Sequence, residues 1–129
     1  MRFLVIAAIA ALGACSPPQQ ESAEPALPSV QPQPETFAAD AWLGKWIGVE
    51  GNTLDIASAN GAPGLYAITE GTLDGPKTYT GNAEGDGIGF TDGDRRLTLR
   101  AGTGDETGLK YLAGKTNCLV IESGRGFCR

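Results

Sequence analysis

The 129-residue sequence contains no histidine, only three cysteines and a single methionine. The lack of histidine removes the commonest general base of neutral-pH catalysis and a frequent metal ligand. No Gly-x-Ser-x-Gly motif marks a serine nucleophile. Long apolar runs are missing too, because the longest covers residues 3–12, and a membrane-crossing helix needs about 20 apolar residues. We therefore predict a protein that is not an enzyme and has no cofactor, no metal site and no transmembrane helix.

Carboxylates are the remaining candidates for catalysis. Asp105 with Glu106, or Asp92 with Asp94, could act as the acid and base of a glycosidase, which needs two carboxyl groups about 5–10 Å apart. All four lie in glycine-rich turns or at a predicted helix start, where acidic side chains make local hydrogen bonds. Solvated turn residues are the favoured interpretation.

Calcium binding is a second possibility for the acidic residues. Glu84, Asp86, Asp92 and Asp94 fall within eleven residues, and flexible loops with oxygen ligands suit this ion. The stretch departs from an EF-hand loop because Arg95 follows where ligands are needed. We favour surface turns here as well, with no metal.

Positive charge is scarce, and the net charge is −5. A negatively charged surface disfavours binding to nucleic acid or adsorption to anionic lipid. It permits basic protein partners.

The N-terminal stretch carries the most specific pattern in the chain. Arg2 and the apolar residues 3–12 precede Leu12-Gly13-Ala14-Cys15, which resembles the lipobox of bacterial lipoproteins. In that family the signal peptide is cut ahead of the cysteine, the thiol receives a diacylglyceryl group, and the new amino group is acylated, commonly with palmitate. The resemblance implies a signal peptide over residues 1–14 and a membrane anchor at Cys15. An ordinary signal peptide with a chance cysteine is the alternative.

The residue after the cysteine bears on localisation. Ser16 rather than aspartate follows Cys15, which resembles the enterobacterial signature for release to the outer membrane. The expected location is therefore the outer membrane, with the domain facing the periplasm. Residues 15–39 contain six of the eight prolines and few large apolar side chains, a composition typical of a disordered tether.

Residues 40–129 have the pattern of an all-β domain. Short runs alternate apolar and polar residues, which indicates strands with one buried face. The paired apolar residues are Leu54 and Ile56, Tyr66 and Ile68, Ile88 and Phe90, and Leu97 and Leu99. Turn signals such as Asn60-Gly61 and Asp92-Gly93 separate the runs. We predict a small antiparallel barrel or sandwich of seven or eight strands.

One stretch breaks the strand pattern. Thr103 and Glu106 have the spacing of a capping box, and Leu109 and Leu112 give a brief helical rhythm that Gly114 ends. This predicts one short helix or helical turn.

Cys118 and Cys128 remain after Cys15 is assigned to lipid. In an oxidising compartment these two should pair, and their spacing fits a hairpin in which they face each other. Ile121 would then face Arg125 across a three-residue loop with Gly124 in the left-handed conformation. A redox-active pair is the alternative, which the wide spacing disfavours.

Gly44-Lys45-Trp46 resembles the Gly-x-Trp of the first strand in lipocalin-like and avidin-like barrels. In those families the tryptophan closes one barrel end and packs under an arginine from a late strand, so the resemblance implies that Trp46 packs under Arg125 or Arg129. A Greek-key barrel or a sandwich is an equal alternative. The domain also looks like that of small proteobacterial lipoproteins of unknown function.

Two binding modes follow from this barrel. In the first, the outer surface binds a protein or an envelope component; the candidate contacts are Trp42, Lys110, Tyr111 and Arg125. In the second, the barrel carries a small apolar ligand; the candidate lining is Trp46, Tyr66, Tyr79 and Phe90. For all the aromatic residues, core packing is the alternative.

A further alternative rests on architecture and charge. A lipid-anchored, disulfide-bonded acidic barrel is similar in general form to the membrane-bound inhibitors of C-type lysozyme, whose targets are basic. The resemblance implies inhibition of a basic cell-wall hydrolase as a third possible function.

Overall fold

The computed structural model describes residues 34–129, so the predicted signal peptide, the lipobox and the lipidation site Cys15 lie outside the described residues. Eight antiparallel strands close into a barrel in which each strand pairs with its neighbours in the chain. The strands are β1 (Gly44–Ile47), β2 (Thr53–Ser58), β3 (Leu65–Thr72), β4 (Gly75–Glu84), β5 (Gly87–Asp92), β6 (Arg95–Gly102), β7 (Cys118–Glu122) and β8 (Arg125–Cys128). The prediction of a small all-β barrel is confirmed, in its eight-stranded, up-and-down form.

The barrel is closed by a short seam between its first and last strands. β1 and β8 share one registered pair, Ile47 opposite Cys128, whereas β3 and β4 pair along their full length, from Leu65 opposite Asn82 to Thr72 opposite Gly75. Ile47 and Cys128 are each the last residue of their strand, so the two antiparallel strands overlap only at this pair. The seam is consequently the least extensively paired junction of the wall.

Side chains that alternate along the strands fill the barrel. The predicted inward pairs of β2, β3 and β5 are all buried, and Leu99 of β6 is buried beside a half-buried Leu97. The period-two pattern therefore identified the core face of each of these strands. The same alternation continues along β3 beyond Tyr66 and Ile68, so that the next inward-facing residue is charged: Glu70, which is buried.

A 3-10 helix, Ala38–Trp42, covers one end of the barrel. The indole Nε1 of Trp46 donates a hydrogen bond to the carbonyl oxygen of Trp42 at 2.8 Å, and Ala39 is buried in the core. The folded part therefore begins before Asp40, two residues inside the stretch assigned to the tether.

The last hairpin contains the predicted disulfide between Cys118 and Cys128, which face each other in register. The predicted pairing near its turn is wrong: Glu122, not Ile121, lies opposite Arg125. A β-bulge between Val120 and Glu122 takes up one residue and shortens the loop to two. Gly124 has φ +84°, the left-handed conformation expected for it.

The segment between β6 and β7 packs on the outside of the barrel. It contains two 3-10 turns, Asp105–Thr107 and Lys110–Leu112, instead of one continuous helix. Gly108, at φ +70°, interrupts the helical path between them. The predicted capping box is present, since the Thr103 amide donates to Glu106 Oε2 at 2.7 Å. Within residues 34–129, no helix has the length and apolar character needed to cross a bilayer.

Candidate functional site

A groove of about 450 Å³ lies on the outer wall of the barrel, where β1 and β8 meet the second 3-10 turn. Its buried part is formed by Leu112 and Cys128, which belong to a small apolar cluster separate from the barrel interior. Ile47 and Tyr111 also line it and are 51% and 83% exposed. A concave site of this size is in the range of sites that bind ligands or inserted side chains, and its lining combines apolar and polar groups in similar proportion.

Two opposite charges line this groove, which we call the seam groove. Glu50 lies in the turn after β1, and Lys115 precedes β7. The end of β1 and the start of β7 lie in one row across the wall, since Ile47 pairs with Cys128 and Cys128 pairs with Cys118. Among residues 34–129, neither charge has an ion-pair partner within 4.0 Å.

Glu50 is held in an unfavourable backbone conformation. Its φ is +54° and that of Gly51 is +81°, and the Asn52 amide donates to the Val49 carbonyl at 2.9 Å. These values describe a type I′ turn, whose first central position favours asparagine, aspartate or glycine. A side chain kept in the left-handed region against this preference is often found at functional sites.

The four aromatic residues predicted to line an interior ligand site lie in one core cluster. Trp46, Tyr66 and Phe90 are almost completely buried, and Tyr79 packs against Phe90 with ring centroids 5.1 Å apart. The Tyr66 hydroxyl donates to Asp40 Oδ1 at 2.7 Å, and burial together with this bond raises the pKa of Tyr66. The structure thus brings these residues together as packing partners of one another.

A polar cluster occupies the barrel end opposite the 3-10 helix. Arg125 donates to both carboxylate oxygens of Glu70, to Asp92 Oδ2 at 3.1 Å and to the Tyr79 hydroxyl at 3.1 Å. The hydrogen bonds to Glu70 raise the pKa of the Arg125 guanidinium above its usual range. The prediction that Arg125 is exposed is wrong, because its side chain is only 17% exposed and lies on the same face of β8 as the buried Phe127.

The other predicted surface contacts divide into two groups. Trp42 is buried and not on the surface, because the 3-10 helix lays it over the barrel end beside Trp46. Lys110 and Tyr111 are exposed as expected, and Tyr111 lines the seam groove. The structure therefore leaves Tyr111, with Lys110 beside it, as the accessible members of the predicted set.

Two of the acidic residues considered as calcium ligands, Glu84 and Asp92, form ion pairs with arginines. Glu84 is the last residue of β4 and pairs with Arg96, whereas Asp92 is the last residue of β5 and pairs with Arg125. The four candidate calcium ligands are therefore not brought together. Within the described part of the chain, no group of three or more His, Cys, Asp or Glu side chains has the geometry of a metal site.

The Asp105 and Glu106 pair serves as local capping. Asp105 Oδ1 accepts the Gly114 amide at 3.3 Å, and Glu106 accepts the Thr103 amide. That amide lowers the pKa of Glu106, whereas a glycosidase acid requires a raised pKa. This environment favours the capping interpretation.

Comparison with protein-family models, with curated proteins and with solved structures gives no match. The site is consequently argued from the chain's own geometry. The seam groove was not predicted from the sequence, although the sequence contains one indication of it. Ile47 follows the inward-facing Trp46, so the alternation of the strand places a large apolar side chain on the solvent-exposed face of β1.

Proposed function

We propose that this protein is a non-enzymatic, lipid-anchored envelope protein that acts by binding through the outer wall of its barrel, at the seam groove. The lipobox pattern at Cys15 supports the anchor. The proline-rich stretch that follows would act as a tether between the anchor and the barrel.

One contrast between inside and outside supports binding at the outer wall. The interior aromatic residues Trp46, Tyr66 and Phe90 are each at most 1% exposed. At the groove, by contrast, the side chains of Ile47 and Tyr111 are 51% and 83% exposed. An eight-stranded barrel is just wide enough either to be filled by its side chains or to hold one small ligand. The filled interior favours the surface-binding hypothesis over the lipocalin-like carrier.

Site-specific photo-cross-linking in the producing cell tests the contact surface. A photoreactive amino acid replaces Tyr111 in one version of the full chain and Leu73 in another. Leu73 is the matched control because it is also 83% exposed but lies in the turn between β3 and β4. We expect cross-linked products at position 111 and few at position 73.

Equal yields at the two positions would remove the support for the seam groove. A basic cell-wall hydrolase among the products would favour the inhibitor hypothesis, and a small apolar ligand that copurifies with the protein would favour the carrier. The anchor is tested separately: Cys15→Ser should leave an unprocessed, unlipidated chain, and normal processing of that variant would contradict the lipoprotein assignment.

A further inference from the structure

Cys128 belongs to two joins of the barrel wall at once. Its side chain forms the disulfide with Cys118 of β7, and the two cysteines face each other in register. On its other side, Cys128 lies opposite Ile47, in the one registered pair between β8 and β1. The residue that closes the barrel is therefore the residue that the disulfide fixes to β7.

The disulfide lies on the outer face of the wall. Leu119 and Phe127 are the neighbours of the two cysteines along the strands, and both are buried in the barrel core. The alternation of each strand therefore turns the cysteine side chains outward. There the cysteines pack with Leu112 in the small cluster outside the barrel interior, and Cys128 lines the seam groove. A change at the disulfide consequently affects the seam and its groove before it affects the core.

The 3-10 turn Lys110–Leu112 covers the disulfide from outside. Gly108 and Gly114 flank this turn, and both have left-handed backbone conformations, with φ +70° and +81°. Cys118 and Cys128 are only 2% and 3% exposed where they pack with Leu112. A reductant therefore reaches the sulfur atoms only when this packing loosens, which distinguishes the pair from the accessible cysteines of a redox catalyst.

Other contacts hold β8 on the barrel without the disulfide. Arg125, at the start of β8, donates to the buried Glu70, and Arg129, just after its end, packs on Trp46. These side chains remain in place when the sulfur–sulfur bond is broken. Loss of the disulfide should therefore loosen Cys128 and its seam pair while the barrel as a whole stays folded.

We propose that the disulfide between Cys118 and Cys128 is a redox switch for the barrel seam. When a dithiol reduces it, β8 separates locally from β1 and the seam groove opens. A thiolate of the dithiol attacks one sulfur and forms a mixed disulfide, which the second thiol of the reductant then breaks. Two electrons and two protons pass to the protein, so that two cysteine thiols form and the dithiol becomes a disulfide.

The physical basis of the switch is the constraint that the disulfide places on β7 and β8. The covalent bond limits how far the two strands can move apart, so its loss raises the population of locally opened states. The opening is expected at the seam because β8 and β1 share one registered pair there. Control of partner binding by this opening rests on the proposed function, whereas the opening itself does not.

Hydrogen–deuterium exchange of the full chain, followed by mass spectrometry with and without dithiothreitol, tests the switch. We expect the amides of β1 and β8 to exchange about one hundred-fold faster after reduction. Those of β3 and β4, which pair along their full length, should be unchanged. The double variant Cys118→Ala with Cys128→Ala should exchange rapidly at the seam under both conditions, because it has no disulfide to reduce.

The covering role of Leu112 is tested by the rate of reduction. Leu112→Ala should raise the rate at which dithiothreitol makes Cys118 and Cys128 available for alkylation, because it uncovers the sulfur atoms. Leu73→Ala is the matched control: Leu73 is an exposed leucine in the β3–β4 turn, so its removal should leave this rate unchanged.

Unchanged exchange of β1 and β8 after complete reduction would overturn the proposal. Equal acceleration in β3 and β4 would overturn it as well, because the whole barrel would then be unfolding. Photo-cross-linking at position 111 reports the proposed function separately. A seam that opens on reduction, in a protein that gives no cross-linked product at position 111, would support the switch and count against the contact surface.

Discussion

The guanidinium carbon of Arg129 lies 3.9 Å from the ring centroid of Trp46, so the final residue packs on the first strand. The same guanidinium donates to the Ala41 carbonyl at 2.7 Å and to the Leu43 carbonyl at 3.2 Å. Of the two arginines that the lipocalin and avidin resemblance allowed, Arg129 is the one over the tryptophan. It holds the 3-10 helix, β1 and the chain end together at one barrel end.

Removal of this contact should weaken the barrel. Arg129→Ala loses a cation–π contact and two hydrogen bonds, and we expect the free energy of unfolding in urea to fall by about 1–2 kcal/mol. Arg129→Lys should keep only part of this free energy of unfolding, because an ammonium group cannot both stack on the indole ring and hydrogen-bond to the two carbonyl oxygens. Arg96→Ala is the control. The ion pair of Arg96 with Glu84 is exposed, so the free energy of unfolding should fall by less than about 1 kcal/mol. Equal losses at both positions would contradict the role of Arg129.

At the other barrel end, Arg125→Met should leave the Glu70 carboxylate, which is only 6% exposed, without its main partner. An uncompensated buried charge is costly, and we expect a loss of about 3–5 kcal/mol in urea unfolding. The double variant Glu70→Leu with Arg125→Met should be much closer to the wild type, because it removes both charges. A double variant as unstable as the single one would show that shape, and not charge, explains the loss.

Asp40 should make the stability depend on acidic pH. The Phe37 amide and then the Tyr66 hydroxyl lower the pKa of Asp40 from its ordinary 3.8. A carboxyl group whose pKa is lower in the folded state stabilises that state above its unfolded pKa, and the contribution is lost as the pH falls through the folded pKa. Melting followed by tryptophan fluorescence from about pH 6 to about pH 2 should show a shallower acid loss for Asp40→Asn, with Tyr66→Phe intermediate. An unchanged pH profile in Asp40→Asn would contradict this link.

The two type I′ turns of the barrel allow a paired exchange. Asn60-Gly61 has φ values of +53° and +62°, close to those of Glu50-Gly51, but with the residue that the turn prefers. We expect Glu50→Asn to raise the free energy of unfolding by about 0.5–1 kcal/mol and Asn60→Glu to lower it by a similar amount. Only Glu50→Asn should also change the yield of cross-linked products at position 111, because only Glu50 lines the seam groove. A destabilising Glu50→Asn would show that the glutamate makes a compensating contact.

The β7–β8 hairpin and the segment before it show which features local sequence patterns can predict. The disulfide between Cys118 and Cys128 and the left-handed Gly124 were predicted correctly because turn chemistry and disulfide spacing are local properties, whereas the register at the turn was not. The bulge at Val120 was not predictable, because it depends on which side chains the closed barrel can accept at its end. Likewise, the capping box at Thr103 is a local pattern, but the packing of its segment on the outside of β7 and β8 is not.

A number of seven or eight strands, most of the turns, the buried faces and the disulfide could be predicted from the sequence alone, since each depends on alternation or spacing over a few residues. The sheet closure, the burial of Trp42, the pairing of Arg125 with Glu70 and the seam groove were decided by the tertiary structure. They depend on contacts between residues tens of positions apart, such as Ile47 with Cys128. Only when β8 meets β1 does the outer wall acquire a groove, and only then do Glu50 and Lys115 both line it.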